Sequence, residues 1–131
     1  MSNITAAITA VGAYVPDYVL TNKILETLVD TNDEWITTRT GIKERRILKD
    51  DTKGTSYLAI KAAQDLIAKA NLDPLEIDMI IMAAATPDML VASTGVHVAT
   101  AIAATNAFSY DLQAACSSFL FGMSTAAAYI Q

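Results

Sequence analysis

Cys116 lies in the run DLQAACSSFLFG, where a strand-like segment gives way, across two alanines, to a stretch of small and apolar residues. That order puts its sulfur at the first turn of a helix. The partial positive charge and unpaired N–H groups of a helix end favour a thiolate over a thiol. The same N–H groups suit the oxyanion of a thioester under attack. The small flanking residues leave a substrate room to approach. The same residues also fit a buried structural cysteine, because free Cys is among the most buried residue types. It is the chain's one cysteine, so no intrachain disulfide can form and a Cys-rich metal site is excluded. No metal is expected.

A cysteine nucleophile needs a base or an electrostatic partner, usually His. The one histidine, His97 in GVHVATAIA, has apolar neighbours and follows a different strand-like segment. It reads more readily as a core or interface residue than as a base. The machinery for cysteine chemistry is therefore incomplete within these 131 residues.

Trp35 and Arg39 are spaced i, i+4 and share one face of a short helix. An indole can stack on a nucleobase and a guanidinium can hold a phosphate. A packed Trp covered by the Arg stem satisfies the same spacing. Arg39, Lys43, Arg45, Arg46, Lys49 and Lys53 concentrate six of the nine basic residues in one stretch. Such a patch can receive an anionic ligand. With Glu44, Asp50 and Asp51 interspersed, it also reads as a solvated edge strand. The five glycines are scattered, so there is no phosphate loop.

Several elements must position these residues. The β-branched and small residues of 4–14 predict a buried strand closed by Pro16. Thr21 or Asn22 is expected to cap a short helix to about Val29. A second helix starts at Thr31–Glu34 and ends near Gly41, which suits a left-handed cap. Residues 42–48 predict a polar edge strand. Residues 55–70 form the clearest helix, with Leu58, Ala59, Ala62, Ala63, Leu66, Ile67 and Ala70 as its apolar stripe. The apolar run 77–85 predicts a strand covered on both faces. A helix over 93–104 capped by Ser93 or Thr94, a strand over 108–112 and an apolar helix over 116–130 follow. The alternation implies an α/β fold of layered helices around a largely parallel sheet.

The net charge of −5 argues against nucleic acid as the main partner. The N-terminus lacks the basic region of a signal peptide, and no apolar run reaches the roughly 18–20 residues of a membrane span. A lone Cys fits a reducing compartment. A soluble, cytoplasmic protein with no membrane partner is expected.

DTNDEWITTRTGIKERR (30–46) closely resembles the motif near the N-terminus of the β-ketoacyl-acyl carrier protein synthase III family. The opening ITAVGAYVPDYVLTN and the segment DLQAACSSF match the same family in order and spacing. The resemblance runs over the whole chain. It implies a thiolase-like fold of two pseudo-symmetric halves with a mixed, largely parallel sheet, of which residues 1–131 would be the N-terminal half and the C-terminal half would be absent. It implies a homodimer that starts fatty-acid synthesis without a cofactor. An acyl-CoA, often acetyl-CoA, acylates the cysteine, and malonyl-acyl carrier protein then condenses with the acyl group after losing carbon dioxide. Cys116 matches the family nucleophile. Thr31, Trp35 and Arg39 match positions that contact coenzyme A, with Trp35 against the adenine. The catalytic His and Asn belong to the family's second half, so this chain alone is expected to be inactive. Its uncapped apolar last helix is expected to pack against that second half.

Two residues depart from the family pattern and bear on acyl-chain preference. Ser118 stands where the family usually has Gly, which adds a side chain near the nucleophile. Val91, in the loop Pro87–Ala92 that reaches a partner's acyl pocket in this family, falls where a larger aromatic is common. A secondary-metabolite ketosynthase, a hydroxymethylglutaryl-CoA synthase-like enzyme and a non-catalytic scaffold are the alternatives. The DEWI…RTGI motif opposes the hydroxymethylglutaryl-CoA synthase reading.

Overall fold

A computed structural model describes residues 5–131, which fall into two compact units. Residues 15–53 form one; residues 54–131, with residues 5–14, form the other.

In the smaller unit, β1 (Tyr18–Thr21) pairs antiparallel with β2 (Glu44–Ile47), Tyr18 opposite Ile47 and Thr21 opposite Glu44. Between them run α1 (Asn22–Leu25) and α2 (Asp33–Thr40). The Thr21 hydroxyl accepts from the Ile24 N–H and starts α1, which stops after one turn, short of the expected Val29. The Asn32 carboxamide accepts from the Trp35 N–H at 2.8 Å and starts α2. Gly41 ends it at φ 72°, a conformation in which any Cβ is penalised. The edge strand expected at 42–48 is β2; its partner β1 had no periodic signal of its own.

The larger unit builds its core from α3 (Thr55–Ala70), β3 (Met79–Ala83), α4 (Thr94–Ala101) and β4 (Phe108–Leu112). Strands β3 and β4 are parallel, with Met79 opposite Phe108 and Ala83 opposite Leu112. Val98, Ile102 and Ala104 are buried, and Ala59, Ala63 and Ile67 of the α3 stripe pack on them with Ile80 of β3. Each large aliphatic side chain buried this way contributes about 1.5–3 kcal/mol. A short 3₁₀ turn, Ala115–Ser117, leads from β4 into α5 (Ser118–Ile130).

Three expectations are corrected. The strand predicted over 4–14 does not form among the described residues, and Ile4 lies outside them. A strand needs a ladder partner; instead this segment docks on α3. The Ala13 N–H donates to Asp65 Oδ2 at 2.9 Å, and a Cβ on Gly12 would clash with the Ala62 carbonyl oxygen. The parallel sheet is accordingly two-stranded among the described residues, and β3 is half-buried along its length. Ser93 precedes α4 but makes no side-chain cap; its hydroxyl donates to Asp111 Oδ1 at 2.8 Å.

Candidate functional site

The candidate residues divide between the two units. Thr31, Trp35 and Arg39 belong to residues 15–53 and Cys116 to the other unit.

Cys116 occupies the middle of the 3₁₀ turn at the end of β4 and is exposed. Within these 131 residues Cys116 is therefore not a buried core cysteine. The preceding Ala115 has φ 46°, a left-handed conformation that costs a non-glycine residue about 1–2 kcal/mol. This bend lies in the five residues that turn the chain from strand to helix and presents the thiol in its middle. A nucleophile on a sharp, strained strand-to-helix turn is a recurrent device for exposing a reactive atom. The Ser117 N–H closes the bend on the Ala114 carbonyl at 3.0 Å. The Ala114 N–H donates to Ser118 Oγ at 2.7 Å, and Ser118 is 3% exposed. Sequence reasoning placed Cys116 on the helix itself; the helix starts two residues later.

The carboxylate of Asp111, at the end of β4, closes the N-terminus of α4. The Thr94 N–H donates to Oδ2 at 2.7 Å and the Gly95 N–H to Oδ1 at 2.9 Å. Burial pushes the Asp111 carboxyl up, but the N–H groups of Gly95 and Thr94 and the Ser93 hydroxyl outweigh it and hold it below its ordinary value. Asp88 does the same for α3, accepting from the Ser56 N–H at 3.0 Å. Burial raises this carboxyl too; hydrogen bonds from Ser56 and the Thr55 N–H, with His97 nearby, bring it below the ordinary value. Neither aspartate was singled out from sequence, because each caps a helix distant in the chain.

His97 is exposed on α4 and lines an open groove with Ser56, Ile60, Val96 and Thr100. Within this chain His97 is thus not part of the core.

In the smaller unit, Trp35 stands on the first turn of α2, 54% exposed. Asp30, Thr31, Asn32 and Trp35 line one shallow groove. The Arg39 guanidinium carbon lies 4.8 Å from the centre of the Trp35 ring, so the i, i+4 pair is realised as a cation–π stack. The helix that carries it is pinned by Asn22, which is 2% exposed. Its Nδ2 donates to Asp33 Oδ1 at 2.7 Å and to the Ile42 carbonyl at 2.8 Å, while Arg45 donates to its Oδ1. Sequence reasoning took Asn22 only for a possible helix cap; its role as a buried hub was missed.

The basic stretch is largely spent inside its own unit. Arg45 holds Asn22, Arg46 donates to the Pro16 carbonyl at 3.1 Å, Lys49 lies over Tyr18 and Lys53 pairs with Asp50. No group of His, Cys, Asp and Glu among the described residues is arranged to hold a metal ion.

The parallel β3–β4 pair with α4 and α5 packed on it belongs to a thiolase-like α/β fold. The 3-oxoacyl-[acyl-carrier-protein] synthase III of Aquifex aeolicus superposes with a TM-score of 0.87 at 45% identity, over 92% of this chain and 39% of that one. The priming β-ketosynthase of the R1128 polyketide biosynthetic pathway superposes at 0.85 with 35% identity, over 90% of this chain and 35% of that one. In sequence, the chain is 53% identical over all 131 residues to the β-ketoacyl-[acyl-carrier-protein] synthase III of Porphyromonas gingivalis, and it spans 39% of that protein's length. No family model matches the chain. The resemblance to the N-terminal part of β-ketoacyl-[acyl-carrier-protein] synthase III is thus borne out over the whole chain.

Proposed function

We propose that this chain is the nucleophile-bearing N-terminal half of a β-ketoacyl-acyl carrier protein synthase III that primes fatty-acid synthesis. The observation that carries the proposal is the exposed Cys116 on a strained strand-to-helix turn. The Cys116 thiolate attacks the thioester carbonyl of an acyl-CoA. A carbon–sulfur bond to Cys116 forms, the bond to coenzyme A breaks, and the departing thiolate takes up a proton. Malonyl-acyl carrier protein then loses carbon dioxide. The electron pair left on its α-carbon attacks the acyl group, a carbon–carbon bond forms, and Cys116 leaves as thiolate. No resident cofactor is required, since acyl-CoA is a substrate.

In this reading Trp35 offers its ring to the adenine, Arg39 its charge to a phosphate, and Thr31 a hydroxyl in the groove beside Trp35. The His and Asn that assist decarboxylation lie in the C-terminal half, and the protein works as a cytoplasmic homodimer. No helix among the described residues is long and apolar enough to cross a membrane. The 131 residues alone are inactive. Phe119, Leu120, Phe121 and Tyr129 of α5, each more than half exposed, are covered in the complete protein.

Incubating the full-length protein with acetyl-CoA is expected to give one acetyl adduct by mass spectrometry, absent in Cys116→Ala. An adduct that survives the substitution removes Cys116 from the reaction. The second reading, a priming ketosynthase of secondary metabolism, draws on the similarity to the polyketide enzyme, whose 35% identity is the weaker match. Condensation with a fatty-acid-type carrier protein in preference to a polyketide-type one favours the first.

A further inference from the structure

Ser118 departs from the glycine usual at this position of the resembled family, and the structure gives the added hydroxyl a specific task. Its Oγ accepts the Ala114 N–H at 2.7 Å, and the side chain is 3% exposed. The bond runs from the first turn of α5 back to the residue before Ala115, the one at φ 46°. It therefore closes a ring around the strained residue and Cys116. The β3–β4 ladder ends at Ala83 and Leu112, so Ala114 lies beyond it and its N–H draws its partner from the Ser118 side chain. Without that acceptor, a half-buried donor would be left unsatisfied and the bend could relax toward ordinary φ values.

We propose that Ser118 is a positioning residue for Cys116: its hydroxyl locks the Ala114–Ala115 bend and so fixes the direction in which the thiol meets a thioester. The inference rests on the acyltransferase reading above. It also reassigns the departure itself. Because Ser118 points at the backbone of its own turn, it orients the nucleophile and does not wall the acyl pocket.

The test uses full-length wild type, Ser118→Ala and Ser118→Thr, with Ser117→Ala as a control at the exposed neighbouring serine. Acylation by acetyl-CoA and by a longer acyl-CoA is followed by quenched-flow mass spectrometry. Alkylation by iodoacetamide, which needs an accessible thiolate but not the orientation a bound thioester demands, is followed in parallel. In Ser118→Ala, the maximal acylation rate should fall roughly tenfold to a hundredfold, the scale of a misplaced reacting atom. The fall should be equal for both acyl chains, with KM and the alkylation rate nearly unchanged. Ser118→Thr should recover most of the loss. Should Thr fail to fold in the buried site, the Ala variant's split between acylation and alkylation decides alone.

A loss that depends on acyl length makes Ser118 a pocket wall and overturns the proposal. Equal losses in acylation and alkylation make its role one of general folding and overturn it too, as does an unchanged acylation rate. A wild-type protein that takes no acyl group at Cys116 defeats the acyltransferase reading itself. That result is distinguishable because it precedes any substitution at Ser118.

Discussion

The Arg39 guanidinium lies 4.8 Å from the centre of the Trp35 ring and covers one face of the indole. Trp35 is 54% exposed and lines a groove with Asp30, Thr31 and Asn32, which gives a flat partner room beside the ring. Stacking on the second face of an indole already polarised by a cation resembles the sandwich that holds bases in many nucleotide sites. Trp35→Ala is expected to weaken acyl-CoA use by about 1–3 kcal/mol. Condensation by an enzyme acylated beforehand should change much less. Single-turnover assays of the two half-reactions check this; equal losses in both point to a folding defect.

The left-handed Ala115 makes a second prediction. Ala115→Gly removes the Cβ penalty of about 1–2 kcal/mol but adds roughly 0.5–1 kcal/mol of unfolded-state entropy. The two partly offset, so unfolding stability should rise by no more than about 1.5 kcal/mol. The freed bend should nonetheless slow acylation of Cys116. Chemical denaturation and acylation kinetics on the same preparations separate the two effects.

Asn22 makes a third. Its removal in Asn22→Ala leaves Asp33, the Ile42 carbonyl and Arg45 without their shared buried partner. Stranded polar groups of this kind cost about 1–3 kcal/mol. Thermal unfolding should register that loss. The KM for acyl-CoA should rise as well, because the Asn22 side chain anchors the helix bearing Trp35 and Arg39.

The fourth concerns acid. Asp111 is held below its ordinary carboxyl value in the folded protein. A depressed carboxylate contributes stability that is fully present above the unfolded value, about 3.9, and is lost as pH falls through the folded one. Asp111→Asn should therefore be less stable than wild type by about 1–3 kcal/mol at neutral pH, with the gap closing below about pH 4. Urea titrations across pH check the sign: a gap that widens in acid contradicts it.

How much of this was legible in the sequence follows from where each signal resides. Helix α3 could be read to its ends because its stripe repeats over sixteen residues and Asn71 stops it. Strand β4 was found intact, as was the left-handed cap at Gly41. The pairing of Trp35 with Arg39 was visible because one helical turn sets it. Strand β1 was not visible, since Tyr18–Thr21 is too short to show a period and is extended only because β2 lies beside it. The N-terminal segment read as a strand from composition, yet composition cannot supply a ladder partner. At Cys116 the sequence located the turn but not its shape. Alanine is an unusual residue at φ 46°, and nothing local announces that Ser118 will reach back to Ala114.

The two borrowed caps carry a consequence for how the larger unit assembles. Neither Gly54 nor Ser93 gives its helix a side-chain cap. The first N–H groups of α3 wait for Asp88, 32 residues ahead of Ser56, and those of α4 wait for Asp111, 17 residues ahead of Thr94. Closing those loops costs entropy before any bond rewards it. Neither helix start is thus an autonomous nucleus, and each completes its first turn only when the distant segment has arrived. Local fraying and global unfolding then become nearly the same event for these amides. The Ser56, Thr94 and Gly95 N–H protons, which in most helices exchange early, should here be among the slow ones, and should quicken together when either aspartate is replaced.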